Sequence, residues 1–253
     1  MTTVVYDGSW LGFLTAVFEV YEYRLADTVI CGEMFAPANL FGETHKVFTD
    51  ESKASRVWER LKQKLTPGAY RQLYDSFLSE DKGMEDVLLR YIRYSLAAKV
   101  AVENDFSHPD ILLVKQVSRK VHREKHRMEA FVRFQLTKDQ LYYAIVQPDH
   151  NVLPLIAKHF KARYADQSWL IYDATRKYGI YYDLEKVEEV QLNFSADLQN
   201  DAALTEVYDE NESLYQHLWQ QYFKSVNIAA RKNTKLHIQH MPKRYWKYLV
   251  EKK

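Results

Sequence analysis

At about residue 129 the hydrophobic period of this chain changes, and that change limits the folds open to it. Before it, apolar residues recur three and four apart. "WLGFLTAVFEVYEYRL" places Leu14, Val17, Phe18, Tyr21 and Leu25 at helical spacing, with Glu19 and Glu22 toward another face. "ASRVWERLKQKL", "AYRQLYDSFLS" and "MEDVLLRYIRYSLAAKVA" read as further helices, separated by "TPG" and "SEDKG". From Pro109 a longer helix, "DILLVKQVSRKVHREKHRM", carries Val114, Val117, Val121 and Met128 as its apolar stripe. Beyond it, "AFVRFQL", "LYYAIVQP", "SWLIYDAT", "YGIYYDL" and "EEVQLNF" are rich in β-branched and aromatic residues and read as strands. "NVLPLIAKHFKARYA" is a helix between the second and third of these, and "ATRKYG" is a hairpin turn. A short β-prone run from Thr3 to Tyr6 opens the chain, and either Asp7 or Ser9 caps the helix after it. "SLYQHLWQQYFKSV" and, from Pro242, "PKRYWKYLVEK" read as closing helices. The expected class is α+β, with helices at both ends around a central, mostly antiparallel sheet. One domain is expected over residues 1–253: helical over 1–128, sheet-rich over 129–195, helical and basic over 212–253.

Composition removes several functions. With seven Gly and six Pro in 253 residues, long flexible linkers are not expected. The single cysteine, Cys31, can form no internal disulfide, four-Cys zinc site or iron–sulfur cluster by itself. No apolar run reaches the roughly 18 residues that span a bilayer, and "MTTVVYDGSW" lacks the form of a signal peptide. A cytoplasmic protein with no membrane partner is expected. There is no phosphate-binding loop, dinucleotide fingerprint or serine-nucleophile elbow, and no cofactor is expected. His122 and His126 lie four apart, but Arg123 stands where a zincin needs Glu, and neighbouring cations oppose a metal dication. His237 and His240 form a second pair at helical spacing. Asp183, Glu185 and Lys186 carry the residue types of a nuclease strand without its spacing, so a solvated strand end is expected.

Charge is the feature that points to a partner. The chain carries only +1 overall, yet residues 224–253 hold nine Lys or Arg against one acid, a net of +8. Residues 183–212 hold ten acids against one base. From Ile111 to Arg133 there are seven Lys or Arg against two acids. Clustered cations attract a phosphate backbone, and aromatic or guanidinium planes stack on unpaired bases. Arg231, Lys232, Lys235, Lys243, Arg244 and Lys247 are therefore the expected phosphate contacts. Arg119, Arg123, Arg127 and Arg133 form a second set. At about 100° per residue, Trp246 falls between an apolar face (Tyr245, Leu249) and a basic face (Lys243, Lys247). Its ring either seals the core or meets a base. The same charges also suit a protein adaptor, or residues of an enzyme that converge only in space.

Four stretches, "YDGSWLGFLTAVFEVYE", "REKHRMEAFVRF", "WLIYDATRKYGIYYD" and "QQYFKSVNIAARKNTKLHIQHMPKRYWKYL", together resemble a bacterial family labelled "probable DNA metabolism protein", of unknown activity. The resemblance implies work in DNA repair or metabolism beside a DNA-modification radical SAM protein. It also implies a uracil-DNA-glycosylase-like partner, to which some family members are fused. No catalytic residue is carried over. The expected function is a DNA-repair accessory that binds DNA through basic helices and cooperates with a base-processing enzyme.

Overall fold

The run "TTVVY" forms the central strand of a small parallel sheet, and the turn after it sets the first helix. In the computed structural model the described residues are 2–36, 43–138, 140–191, 238 and 241–249. They fall into two compact units, Met1–His122 and Arg123–Lys253. The α+β class expected from the sequence is the class observed.

In the first unit, β1 (Thr2–Tyr6), β2 (Thr28–Gly32) and β3 (Glu43–Lys46) pair in parallel in the order β2-β1-β3. Val4 lies opposite Ile30 on one side and His45 on the other. Helix α1 (Trp10–Glu22) follows β1. Of its two candidate caps, Ser9 does the capping: its hydroxyl accepts the Gly12 N–H at 2.9 Å. Asp7 instead accepts from the Ser9 N–H at 2.9 Å and from the Thr49 hydroxyl at 2.7 Å. Gly8, at φ +85, turns the chain where a side chain would be strained. The buried side of α1 is centred on Phe13, Leu14, Ala16, Val17 and Val20, while Tyr21 is exposed. Glu19 is buried and takes hydrogen bonds from Lys53 at 2.9 Å and His45 at 2.6 Å. Residues 10–20 are almost wholly apolar, so spacing alone leaves the buried face ambiguous. Packing of α1 against both β1 and α2 decides it.

The remaining helices of this unit begin where their caps stand. Asp50 caps α2 (Glu51–Lys64) through the Ser52 and Lys53 N–H groups. Thr66 caps α3 (Pro67–Phe77), with proline in its first turn. Gly83, at φ +80, precedes α4 (Met84–Ala97). Helix α5 (Pro109–Phe131) runs across the boundary of the two units. In the first unit, the Ser76 hydroxyl donates to the Val114 carbonyl at 3.0 Å and the Ser118 hydroxyl to Asp75 at 3.1 Å.

Gly12 carries the largest consequence here. A Cβ on it would lie 2.1 Å from Asp7 Oδ1 and 2.9 Å from Thr49 Oγ1. The Asp7 carboxylate is held from two sides and cannot simply swing away. Gly12→Ala should therefore cost about 1–3 kcal/mol, as overpacking does. Thermal melting checks this; an unchanged Tm would contradict the tight turn.

The second unit is built on a five-stranded sheet in the order β4-β5-β6-β7-β8. Its strands are β4 (Gln135–Leu136), β5 (Tyr142–Val146), β6 (Trp169–Asp173), β7 (Tyr178–Tyr182) and β8 (Val187–Gln191). Helix α6 (Leu153–Arg163) makes the crossover between β5 and β6, which are parallel. The other pairings are antiparallel, as expected of the sheet. Trp169, Ile171, Ile156 and Phe160 form its core. In the β6–β7 hairpin, Asp173 accepts the Thr175 N–H at 2.8 Å and pairs with Arg176 at 2.9 Å. The strand expected at 130–136 shrinks to Gln135–Leu136, because α5 continues to Phe131. The helix expected from Pro242 is a tighter 3-10 turn, Lys243–Tyr248, in which the Tyr245 N–H donates to Pro242 O at 3.1 Å. The helix expected at 213–226 lies outside the described residues.

Candidate nucleic-acid interface

The long helix α5 has an apolar stripe made of Ile111, Val114, Val117, Val121 and Met128, all buried. Its heptad-like spacing leaves one further inward position, and Glu124 occupies it, only 2% exposed. A carboxylate in that place is costly unless it is paired and hydrogen-bonded. The second unit supplies both. Tyr245 donates its hydroxyl to Glu124 Oε1 at 2.7 Å, and the Asp149 N–H donates to the same oxygen at 3.0 Å. Arg244 pairs with Glu124 Oε2 at 2.9 Å and with Asp149 at 2.8 Å. Burial and the adjoining Glu124 carboxylate push the Tyr245 hydroxyl well above the ordinary phenol range. Burial opposes the charge on Arg244, but the Tyr245 hydrogen bond and the two carboxylates outweigh it and push its pKa up. The Tyr245 ring packs 5.7 Å from Phe131. The basic end of the chain is thus fastened to the last turns of α5.

The expected phosphate contacts separate into groups. Arg231, Lys232 and Lys235 lie outside the described residues, as do His237 and His240. Arg244 points its charge into the Glu124 cluster. Lys243 and Lys247 are exposed. Lys247 donates to the Gln147 side-chain carbonyl, which also accepts from the Tyr248 hydroxyl at 3.0 Å. Trp246 is half-buried, and its indole N–H donates to the Met241 carbonyl at 3.0 Å. At three residues per turn, Lys243 comes back over Trp246, with its ammonium 6.0 Å from the ring.

On α5, Arg119 and Lys120 in the first unit and Arg123 in the second are exposed, and Arg127 is half-exposed. Among the described residues, none of these four has a carboxylate partner. Lys125, one residue past Glu124, is paired with Glu129 at 2.5 Å. Arg133 donates to the Ala130 carbonyl at 2.7 Å, so part of its guanidinium is used within the fold. His122 is exposed, and His126 sits 3.7 Å from Glu129 Oε2. Asp183 accepts the Glu185 and Lys186 N–H groups in a turn, the solvated strand end that its spacing implied. Cys31 is half-buried, and burial and the carboxylates of Glu85 and Asp86 push its thiol up, away from nucleophilic chemistry.

Glu124 was missed from sequence, although a signal was there. An acid three residues after Val121 and four before Met128 interrupts an apolar stripe. That position calls for a cation and a donor from elsewhere in the chain.

Trp246 can now be assigned a cost. Half-burial and the hydrogen bond to the Met241 carbonyl put the loss on Trp246→Ala at about 1–2 kcal/mol or more. Melting temperature should fall while the folded variant keeps its DNA affinity within about twofold. Weakened binding at unchanged stability would make the ring a stacking platform instead.

No helix among the described residues is long and apolar enough to cross a membrane. No curated protein matches the chain. A family model described as a domain of unknown function, DUF4130, matches residues 82–251, from the start of α4 through the basic terminal segment. That match covers more than half of the sequence, and the chain belongs to the DUF4130 family.

Proposed function

We propose that this protein binds nucleic acid through the solvent side of α5 and the basic C-terminal segment, as an accessory in DNA repair or metabolism. The observation that carries the reading is the set Arg119, Lys120, Arg123 and Arg127, four cations on one helix with no carboxylate partner among the described residues. Arg119, Arg123 and Arg127 follow one another four apart, and like charges at that spacing repel along a helix, a cost that a polyanion would offset, whereas Lys125 is neutralised by Glu129. Lys243 and Lys247 add charge on the segment that Arg244 and Tyr245 fasten to α5. Arg231, Lys232 and Lys235 belong to the same basic stretch of sequence.

In this reading the contacts are to phosphate and are sequence-tolerant. Chemistry on the base falls to a partner, of the glycosylase-like or radical SAM kind that the family resemblance implies. Arg244 has a different part from the one its charge suggests: it holds the segment in place. The experiment is a fluorescence-anisotropy titration of a labelled 20-mer, single-stranded and duplex, at several salt concentrations. Salt-sensitive binding supports the reading, and absence of binding at about 50 mM salt leaves the adaptor reading.

A further inference from the structure

In the first unit, α1, α2 and α3 do not close completely over one another. Ala54 and Ser55 on α2 are small, and they face Leu14 on α1. The result is a recess of about 270 Å³, open to solvent, lined by Trp10, Leu11, Leu14, Ala54, Ser55, Trp58 and Tyr74. Its three rings do not stack on one another. Trp10 meets Trp58 edge to face, with centroids 5.7 Å apart and planes at 88°, and meets Tyr74 at 5.4 Å and 66°. They form an aromatic corner, held from behind by Phe13 at 5.5 Å and Phe77 at 5.0 Å from Trp10.

We infer that this recess receives one unstacked nucleobase of a single strand. The inference rests on the nucleic-acid reading above and adds a second element to it. Three features select the ligand. Rings on three walls favour a flat π-system over an aliphatic side chain, because the corner offers one ring for stacking and another for edge contact. The volume lies just below the roughly 300–1,000 Å³ of sites for drug-sized ligands, which suits a single planar ring system.

The surroundings are cationic. Helix α2 carries five Lys or Arg against two acids. Two of the five are neutralised, Lys53 by Glu19 and Lys62, whose ammonium lies 5.7 Å from the Trp58 ring, by Glu59 at 2.8 Å. Arg71, one turn before Tyr74 on α3, is exposed and without a carboxylate partner among the described residues. Flanking phosphates would find Arg56, Arg60 and Arg71, exposed and without a carboxylate partner among the described residues, while the base fills the corner. In a duplex every base is stacked and paired, so this recess discriminates between strand forms where the α5 cations do not.

The test uses the full chain with a 12-nucleotide oligo(dT) and a duplex of the same length. Trp58→Ala removes one wall of the corner. Ser55→Leu fills the recess from an exposed position and leaves the three rings in place. Both variants are expected to lose about tenfold or more in oligo(dT) affinity, with duplex affinity unchanged. Mutation of the α5 cations should weaken both ligands alike. Unchanged oligo(dT) affinity in a folded Ser55→Leu protein overturns the recess proposal while leaving the α5 reading intact. Equal losses for duplex and single strand also overturn it. Loss of all DNA binding in the unmodified protein would remove both.

Discussion

Arg244→Ala is expected to destabilise the protein by about 2–4 kcal/mol. Removing one partner of a buried ion pair typically costs about 3–5 kcal/mol, because the other charge is left uncompensated. Here the cost is set lower, since the Arg244 side chain is 42% exposed while that of Glu124 is 3% exposed. Glu124 would also keep the Tyr245 hydroxyl and the Asp149 N–H. For a chain of this length the loss corresponds to a Tm drop of roughly 5–15 °C. Arg244→Lys should recover only part of it, because an ammonium cannot bridge two carboxylates with the planar geometry of a guanidinium. A double-mutant cycle with Glu124→Ala isolates the pair. A coupling energy above about 1 kcal/mol supports the clamp. Additive losses would mean that Arg244 acts through something other than Glu124.

The second large effect falls on affinity. Changing Arg119, Lys120, Arg123 and Arg127 together to Ala removes four cations that no carboxylate neutralises among the described residues. Each phosphate contact on duplex DNA contributes about 0.9 to the slope of log affinity against log salt. The variant should therefore lose about 3–4 units of slope, and at least about a hundredfold in affinity at low salt. Stability should change little, because exposed surface substitutions usually stay within about 0.5 kcal/mol. A parallel fall in Tm would show that these residues support the fold instead.

Local signals carried much of the architecture. Ser9, Asp50 and Thr66 stand at helix starts because a hydroxyl or carboxylate there satisfies an N–H that the helix leaves open. The β-branched and aromatic runs at 169–182 gave the β6–β7 hairpin, with "ATRKYG" as its turn. What failed was non-local. Strand β3, "ETHK", is four residues long and polar; only pairing with β1 makes it a strand. Phe131 has a β-prone side chain, yet helix α5 carries through it. The terminal segment kept its buried Tyr245 and Leu249 but wound more tightly than an α-helix, which moved Lys243 beside Trp246.

At the candidate interface, composition located the basic helix and the basic terminal segment. It could not tell a cation that reaches solvent from one consumed inside. Arg244 and Arg123 look alike in a charge count. One is tied to Glu124 and Asp149, and the other has no carboxylate partner among the described residues. That difference depends on residues about a hundred positions apart, and no local window of sequence contains it.

The central claim is that α5 and the terminal segment hold phosphates. The most direct measurement is the affinity of the unmodified protein for a 20-base-pair duplex at salt concentrations from about 50 to 200 mM. The account predicts a straight line of log affinity against log salt with a slope of about −4 or steeper, flattened by the four-residue α5 variant. A slope near zero, or no binding at about 50 mM, would contradict it.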